Sequence, residues 1–261
     1  MILHAVEAGE GEPVVLLHGL FGMARNLGVV QRALAPRFRV IALDLRNHGA
    51  SPHAAEMHYA AMAEDVVETL DQRGALPAVL IGHSMGGKAA MLTALTWPGS
   101  VMRLLVADIA PVPYEHGNDR LAAALLALPL TPGLTRVAAD AALRDAVPAA
   151  GVRAFLLQNL AFGAHPHWRI GLPAIAATMR DIEGWSAPDG AVYPGPTLFV
   201  SGAGSDYVRP EHRPVIRAMF PAARFVTLKN AGHWLHADNP GGFLGVIEAF
   251  LAGGSHRPGP A

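Results

Sequence analysis

The eight residues Ile81-Gly82-His83-Ser84-Met85-Gly86-Gly87-Lys88 lie between an apolar run, Val79–Ile81, and an apolar stretch of helical period, Ala89–Leu95. Three glycines, a serine and a histidine in so short a link need a physical reason. Gly82-His83-Ser84-Met85-Gly86 has the form G-x-S-x-G. In a tight turn from strand to helix, such a serine takes strained backbone angles that are tolerated only if the residues two positions away lack side chains. Gly82 and Gly86 meet that requirement. The turn would lift the Ser84 hydroxyl above a sheet at a helix N-terminus, with the Met85 N–H facing the same point. The pentapeptide alone is a weak signal, and the flanking strand and helix patterns make it a strong one.

Outward from this turn, short apolar runs alternate with longer amphipathic stretches. Strands are expected at Ile2–Val6, Val14–Leu17, Val40–Leu43, Val79–Ile81, Leu104–Ala107, Leu198–Val200 and Phe225–Leu228. Helices are expected around Leu27–Leu34, Met62–Leu70, Ala89–Leu95, Val215–Phe220 and Phe243–Leu251. Continuous apolar strands suit a mostly parallel sheet of about seven strands covered by helices on both faces, an α/β class. Only 13 residues precede Val14, room for one strand and its turn.

The connection from Asp108 to Thr197 is far too long for a crossover helix. Its Ala- and Leu-rich segments are divided by Pro129, Pro132, Pro148, Pro166 and Pro173. It reads as an inserted cap of three or four short helices rather than two long ones. The expected organisation is a core in two parts, 1–110 and 194–252, a helical cap at 111–193, and a disordered tail at 253–261.

Composition narrows the functional classes. The chain has 261 residues, 51% of them hydrophobic and 16% charged, with a net charge of −1. Its only lysines are Lys88 and Lys229, and no basic stripe suits nucleic acid or anionic lipid. The apolar stretch Leu121–Leu130 is too short to span a membrane. The N-terminal residues lack the pattern of a signal peptide, so a cytoplasmic location is the default expectation. There are no cysteines, which rules out thiol catalysis and thiolate metal sites. The 13 histidines show no ligand spacing; no H-E-x-x-H occurs, and no metal or cofactor is expected.

A serine hydroxyl is a poor nucleophile without a base, and the base needs a carboxylate to orient it. His233, in the loop "NAGHWLHADNP" after the last strand, is placed to serve as base, with His236 as its competitor. Two carboxylates compete for the orienting role: Asp108, at the end of the strand after the serine turn, and Asp206, beyond the next strand. The segment "LLHGLFG" places Leu20 and Phe21 at a strand end, where either N–H is a second oxyanion donor. His18 and His83 read as buried hydrogen-bonding residues. Lys88 reads either as a solvated surface lysine or as one half of an ion pair bracing the turn. Phe155, Leu156, Phe162, Trp168 and Trp185, all in the cap, are candidates to line an apolar pocket for an acyl chain.

The segments "HGLFG", "DLRNHGASP", "GHSMGG" and "AGHWLHADNP", in this order across nearly the whole chain, resemble the α/β-hydrolase superfamily. Asn47 stands where the usual D-x-R-G-x-G-x-S pattern has glycine. That variant, with "GHSMGGKA", "DIAP" and "SDYVRP", is similar to the YbfF-type branch of small bacterial esterases and thioesterases. The resemblance implies a Ser/His/acid hydrolase of carboxylic esters, with acyl-CoA thioesters as a further substrate class, and no cofactor. It also suggests Asp108 as the acid, supported by the Ser205 hydroxyl. Rival readings are a lactonase or C–C bond hydrolase using the same triad, and a ligand receptor with little turnover. A haloalkane dehalogenase is disfavoured, because that chemistry needs a carboxylate where Ser84 stands.

Overall fold

The computed structural model describes residues 1–115 and 117–253. Among the described residues nine strands are formed: β1 (Ala5–Ala8), β2 (Pro13–Leu17), β3 (Arg39–Leu43), β4 (Ala78–His83), β5 (Val101–Ala107), β6 (Leu160–Ala161), β7 (His167–Trp168), β8 (Thr197–Gly202) and β9 (Ala223–Leu228). Seven of them make one sheet in the order β1-β3-β2-β4-β5-β8-β9. Only β1 is antiparallel to its neighbour; β2, β3, β4, β5, β8 and β9 run parallel.

Strand periodicity splits the core in two. Val15, Leu17, Ile41, Leu43 and Leu80 face one side of the sheet, and Val14, Leu16, Val40, Ala42, Val79 and Ile81 face the other. Both sets are buried, which is why the strands read as unbroken apolar runs. Helices α1 (Gly28–Leu34), α2 (Tyr59–Gln72) and α3 (Met85–Thr96) precede the cap. On α2, Tyr59, Met62, Ala63, Val66 and Leu70 recur at helical spacing and are buried, and the His58 ring caps the helix by accepting the Ala61 N–H. All of α3 from Met85 to Leu95 is buried, so it shows no polar face.

The first strand forms later than its hydrophobicity suggests. Ile2–Val6 was the expected run, and the ladder covers Ala5–Ala8. The preceding residues give their main-chain N–H groups to side chains instead. Leu3 N–H donates to Thr69 Oγ1 and His4 N–H to Ser51 Oγ, while the N-terminal ammonium meets Asp65 and Glu68.

Among the described residues between β5 and β8 lie five short α-helices: α4 (Asn118–Ala127), α5 (Arg136–Ala142), α6 (Ala150–Leu156), α7 (Leu172–Ala177) and α8 (Met179–Glu183). The strands β6 and β7 add a small antiparallel ribbon. The expected three or four helices therefore become five, because Thr178 leaves helical geometry between α7 and α8. Pro129 and Pro132 fall between α4 and α5, and Pro148 stands just before α6. The chain closes with α9 (Arg213–Met219), α10 (Leu235–Asp238) and α11 (Pro240–Ala252). Asn239 caps α11 by accepting the Gly242 N–H, with Pro240 in its first turn. Of the segment read as a disordered tail, residues 254–261 lie outside the described residues.

Asn47, the departure from the glycine pattern, has φ +64°. Asparagine tolerates this left-handed conformation better than most residues, so the turn survives the exchange. Its amide holds both main-chain polar groups of Ala54, and its own carbonyl accepts the Gly171 N–H from the cap.

Candidate active site

Ser84 joins β4 to α3 with φ +53° and ψ −121°. A Cβ on Gly82 would stand 2.3 Å from the Gly86 carbonyl oxygen, and one on Gly86 would stand 2.5 Å from the carbonyl oxygens of Leu17 and His18. No side chain fits at either place, so the two glycines are requirements of packing as well as of the turn.

Three side chains meet above the sheet. His233 Nε2 lies 3.0 Å from Ser84 Oγ, and His233 Nδ1 lies 2.8 Å from Asp108 Oδ2. Asp108 is fully buried at the end of β5 with φ +53°, and its N–H donates to the Val200 carbonyl on the next strand. That backbone kink turns its carboxylate toward the histidine loop. Gly202 N–H donates to Asp108 Oδ1, and the Ser205 hydroxyl donates to Asp108 Oδ2. With these three donors the carboxylate is satisfied as an anion. Asp206 is exposed and makes no hydrogen bond or ion pair among the described residues.

Several rings hold this arrangement. Tyr207 stacks on His233 with centroids 3.9 Å apart, and its own hydroxyl is pushed by burial up to about 12. His83 donates from Nε2 to the His233 carbonyl at 2.7 Å, and burial drives its pKa well below the usual histidine range. His236 packs edge-on against His83, 5.0 Å away, and does not meet Ser84.

The oxyanion side is more constrained than the sequence suggests. Phe21 N–H donates to His48 Nε2 at 3.0 Å, so it is already occupied. This removes Phe21 as a donor and leaves Leu20, whose N–H has no acceptor among the described residues, beside the free first-turn N–H of Met85. His18 makes the reciprocal bond: Leu45 N–H donates to its Nε2, while its Nδ1 donates to the Gly19 carbonyl. Each histidine thus fixes the loop that carries the other. Both are buried and held neutral, His48 with its pKa pushed down to about 3.

A cavity of about 410 Å³ opens over Ser84, with mostly apolar walls. Phe155 and Leu156 line it, together with Leu121, Val152, Tyr114 and Trp234. Phe162, Trp168 and Trp185 do not line it, which corrects the expectation from the sequence. The Phe162 ring lies under the Arg136 guanidinium, Trp168 belongs to the β6–β7 ribbon, and Trp185 faces a separate hollow beside Trp97. Aromatic composition placed these residues in the cap but gave no information on which way each one faces. Tyr207 and Tyr114 also escaped the sequence reading; the position of Tyr207 two residues beyond Ser205 was the one available signal.

Lys88 is not on the surface, and among the described residues it has no ion-pair partner. It is 1% exposed, lines the same cavity, and donates to the carbonyls of Glu183 and Gly184 at the end of α8. Among the described residues there is no group of acidic and histidine side chains arranged to hold a metal ion, and no helix long and apolar enough to cross a membrane.

A strained serine between strand and helix, over a mostly parallel sheet with an inserted cap, defines the class of α/β hydrolases. The chain belongs to the alpha/beta hydrolase family, whose model matches residues 14–246. It is 42% identical over 248 residues to the mouse sn-1-specific diacylglycerol lipase ABHD11, covering 92% of this chain and 80% of that one. It is 41% identical over 241 residues to esterase YbfF of Escherichia coli, covering 92% of each. A solved structure of a marine microorganism esterase superposes with a TM-score of 0.91 at 36% identity, covering 96% of this chain and 99% of that one.

Proposed function

We propose that this chain, a carboxylic ester hydrolase, works through an acyl-enzyme formed on Ser84. The observation that carries the reading is the continuous relay from Ser84 Oγ through both nitrogens of His233 to Asp108 at the base of an apolar cavity. His233 Nε2 takes the serine proton as Oγ attacks the acyl carbon. The developing oxyanion is met by the N–H groups of Met85 and Leu20. Asp108 stays ionised, fixes the tautomer with the proton on Nδ1 and stabilises the imidazolium. Collapse of the tetrahedral intermediate sends the proton from Nε2 to the leaving oxygen, and water repeats the sequence to release the acid.

The apolar walls around Phe155, Leu156 and Trp234 suit an aliphatic acyl chain, and the similar proteins include a diacylglycerol lipase. Acyl thioesters fit the same steps with a thiolate leaving group and form a second class of proposed substrates. A series of p-nitrophenyl and CoA esters of increasing chain length tests this reading. Ser84→Ala should lower kcat by roughly a millionfold and abolish labelling by a fluorophosphonate. Retained turnover above a few per cent in that variant would refute Ser84 as nucleophile.

A further inference from the structure

Lys88 sits one helical turn beyond Ser84 on α3, so its side chain rises from the same helix into the same cavity. Its ammonium is buried with no ion-pair partner among the described residues, and the Glu183 carboxylate acts on it only at longer range. Two of its three N–H bonds go to main-chain carbonyls, Glu183 at 3.1 Å and Gly184 at 2.6 Å. The rings of Tyr114 and Tyr59 approach it at 4.9 and 5.5 Å, and their hydroxyls are committed elsewhere, to Tyr207 and Ile182 carbonyls. No carboxylate lies within 4.0 Å of it among the described residues. The nearby Glu183 carboxylate instead accepts two bonds from Asn118, both 3.0 Å long.

An unpaired cation buried in this way costs stability, and carbonyls and ring faces recover only part of the cost. Bracing α8 against α3 does not by itself require a charge, since a neutral donor could bond the same carbonyls. The feature that remains is the third donor, on a side chain that lines the catalytic cavity.

We propose that Lys88 is a substrate-binding residue that receives an anionic oxygen, such as a carboxylate, carried by the ester at a distance from its scissile carbonyl. This rests on the ester-hydrolase reading and narrows its substrate class to include half-esters of dicarboxylic acids or esters of carboxylated alcohols. Burial lowers the Lys88 pKa to about 7. The bound anion is then favoured below that pH and loses its partner above it, with Glu183, Tyr59 and Tyr114 as the other titratable groups facing the ammonium.

The test compares esters that differ only in charge. On the acyl side, p-nitrophenyl hemiglutarate is set against p-nitrophenyl pentanoate. On the leaving-group side, 4-carboxyphenyl butyrate is set against phenyl butyrate. The charged-to-neutral ratio of kcat/KM should fall by about tenfold or more in Lys88→Met for one of the two pairs, and that pair identifies where the anion sits. In the unaltered protein the same ratio should fall as pH rises from about 6 to about 8.5. This second readout stands even if Lys88→Met does not fold, and taking a ratio cancels any pH dependence that the paired esters share. Ratios that are flat with pH in both pairs, while all four esters turn over, overturn the Lys88 assignment alone. No turnover of any ester overturns the hydrolase reading and this one with it.

Discussion

The imidazole of His83, the residue before Ser84, donates its Nε2 proton to the main-chain carbonyl of His233 at 2.7 Å. The elbow is thereby tied to the loop that carries its base, across 150 residues of chain. Replacing His83 with Ala would leave a part-buried carbonyl without a partner, at a cost of about 1–3 kcal/mol. The expected result is a lower unfolding midpoint and a reduced kcat with KM little changed. A variant with wild-type kcat would show that the loop holds its position without this bond.

Asp108 and Asp206 make opposite predictions. Asp108→Asn should cost roughly four orders of magnitude in kcat, because the amide favours the wrong tautomer of His233. Asp206→Asn should change kcat by less than about twofold, as expected of an exposed side chain away from the site. The assignment fails if Asp206→Asn is the crippled variant.

Gly82→Ala places a methyl group 2.3 Å from a carbonyl oxygen, in a core with no room to move. It should destabilise the fold by about 1–3 kcal/mol or more and suppress activity. Gly151, in the first turn of α6, has open space where a Cβ would go. Gly151→Ala should stabilise by about 0.4–1 kcal/mol. Denaturant midpoints of the pair check both signs.

The cavity walls make a selective prediction about chain length. Val152→Phe should shorten the preferred acyl chain by filling space, and Phe155→Ala should lengthen it. Phe162→Ala, which lies outside the cavity, should leave the profile unchanged. Superimposable profiles for Val152→Phe and the parent would remove α6 from the pocket wall.

The buried histidines set an acid limit. His18, His48 and His83 have folded pKa values below the unfolded value of about 6.5, so the unfolded chain binds more protons under mild acid. Their contribution is complete above that value and is lost as pH falls below it, for His48 down to about pH 3. Each should remove about 1.4 kcal/mol per pH unit within its window. Stability that is flat between about pH 6.5 and pH 5 would show that these rings are charged in the folded protein.

The features that could be read from the sequence are those enforced by near neighbours along the chain. Gly82 and Gly86 mark the elbow because the turn itself excludes their side chains, and unbroken apolar runs marked strands buried on both faces because successive side chains point to opposite sides of the backbone. The strands of the large sheet were placed to within one to three residues, the first being shifted along the chain where side chains from α2 and the loop after β3 took N–H groups that a ladder would have used. The rest depended on residues far apart in sequence arriving at one place. Asp108 rather than Asp206 meets His233 because a left-handed residue at the end of β5 turns its carboxylate toward that loop. Leu20 rather than Phe21 keeps a free N–H because His48, from another loop, accepts the bond from Phe21. Lys88 is buried because the end of α8 and two tyrosines close over it. Such outcomes follow from orientation and from competition for hydrogen-bond partners in space, which no local pattern of residues encodes.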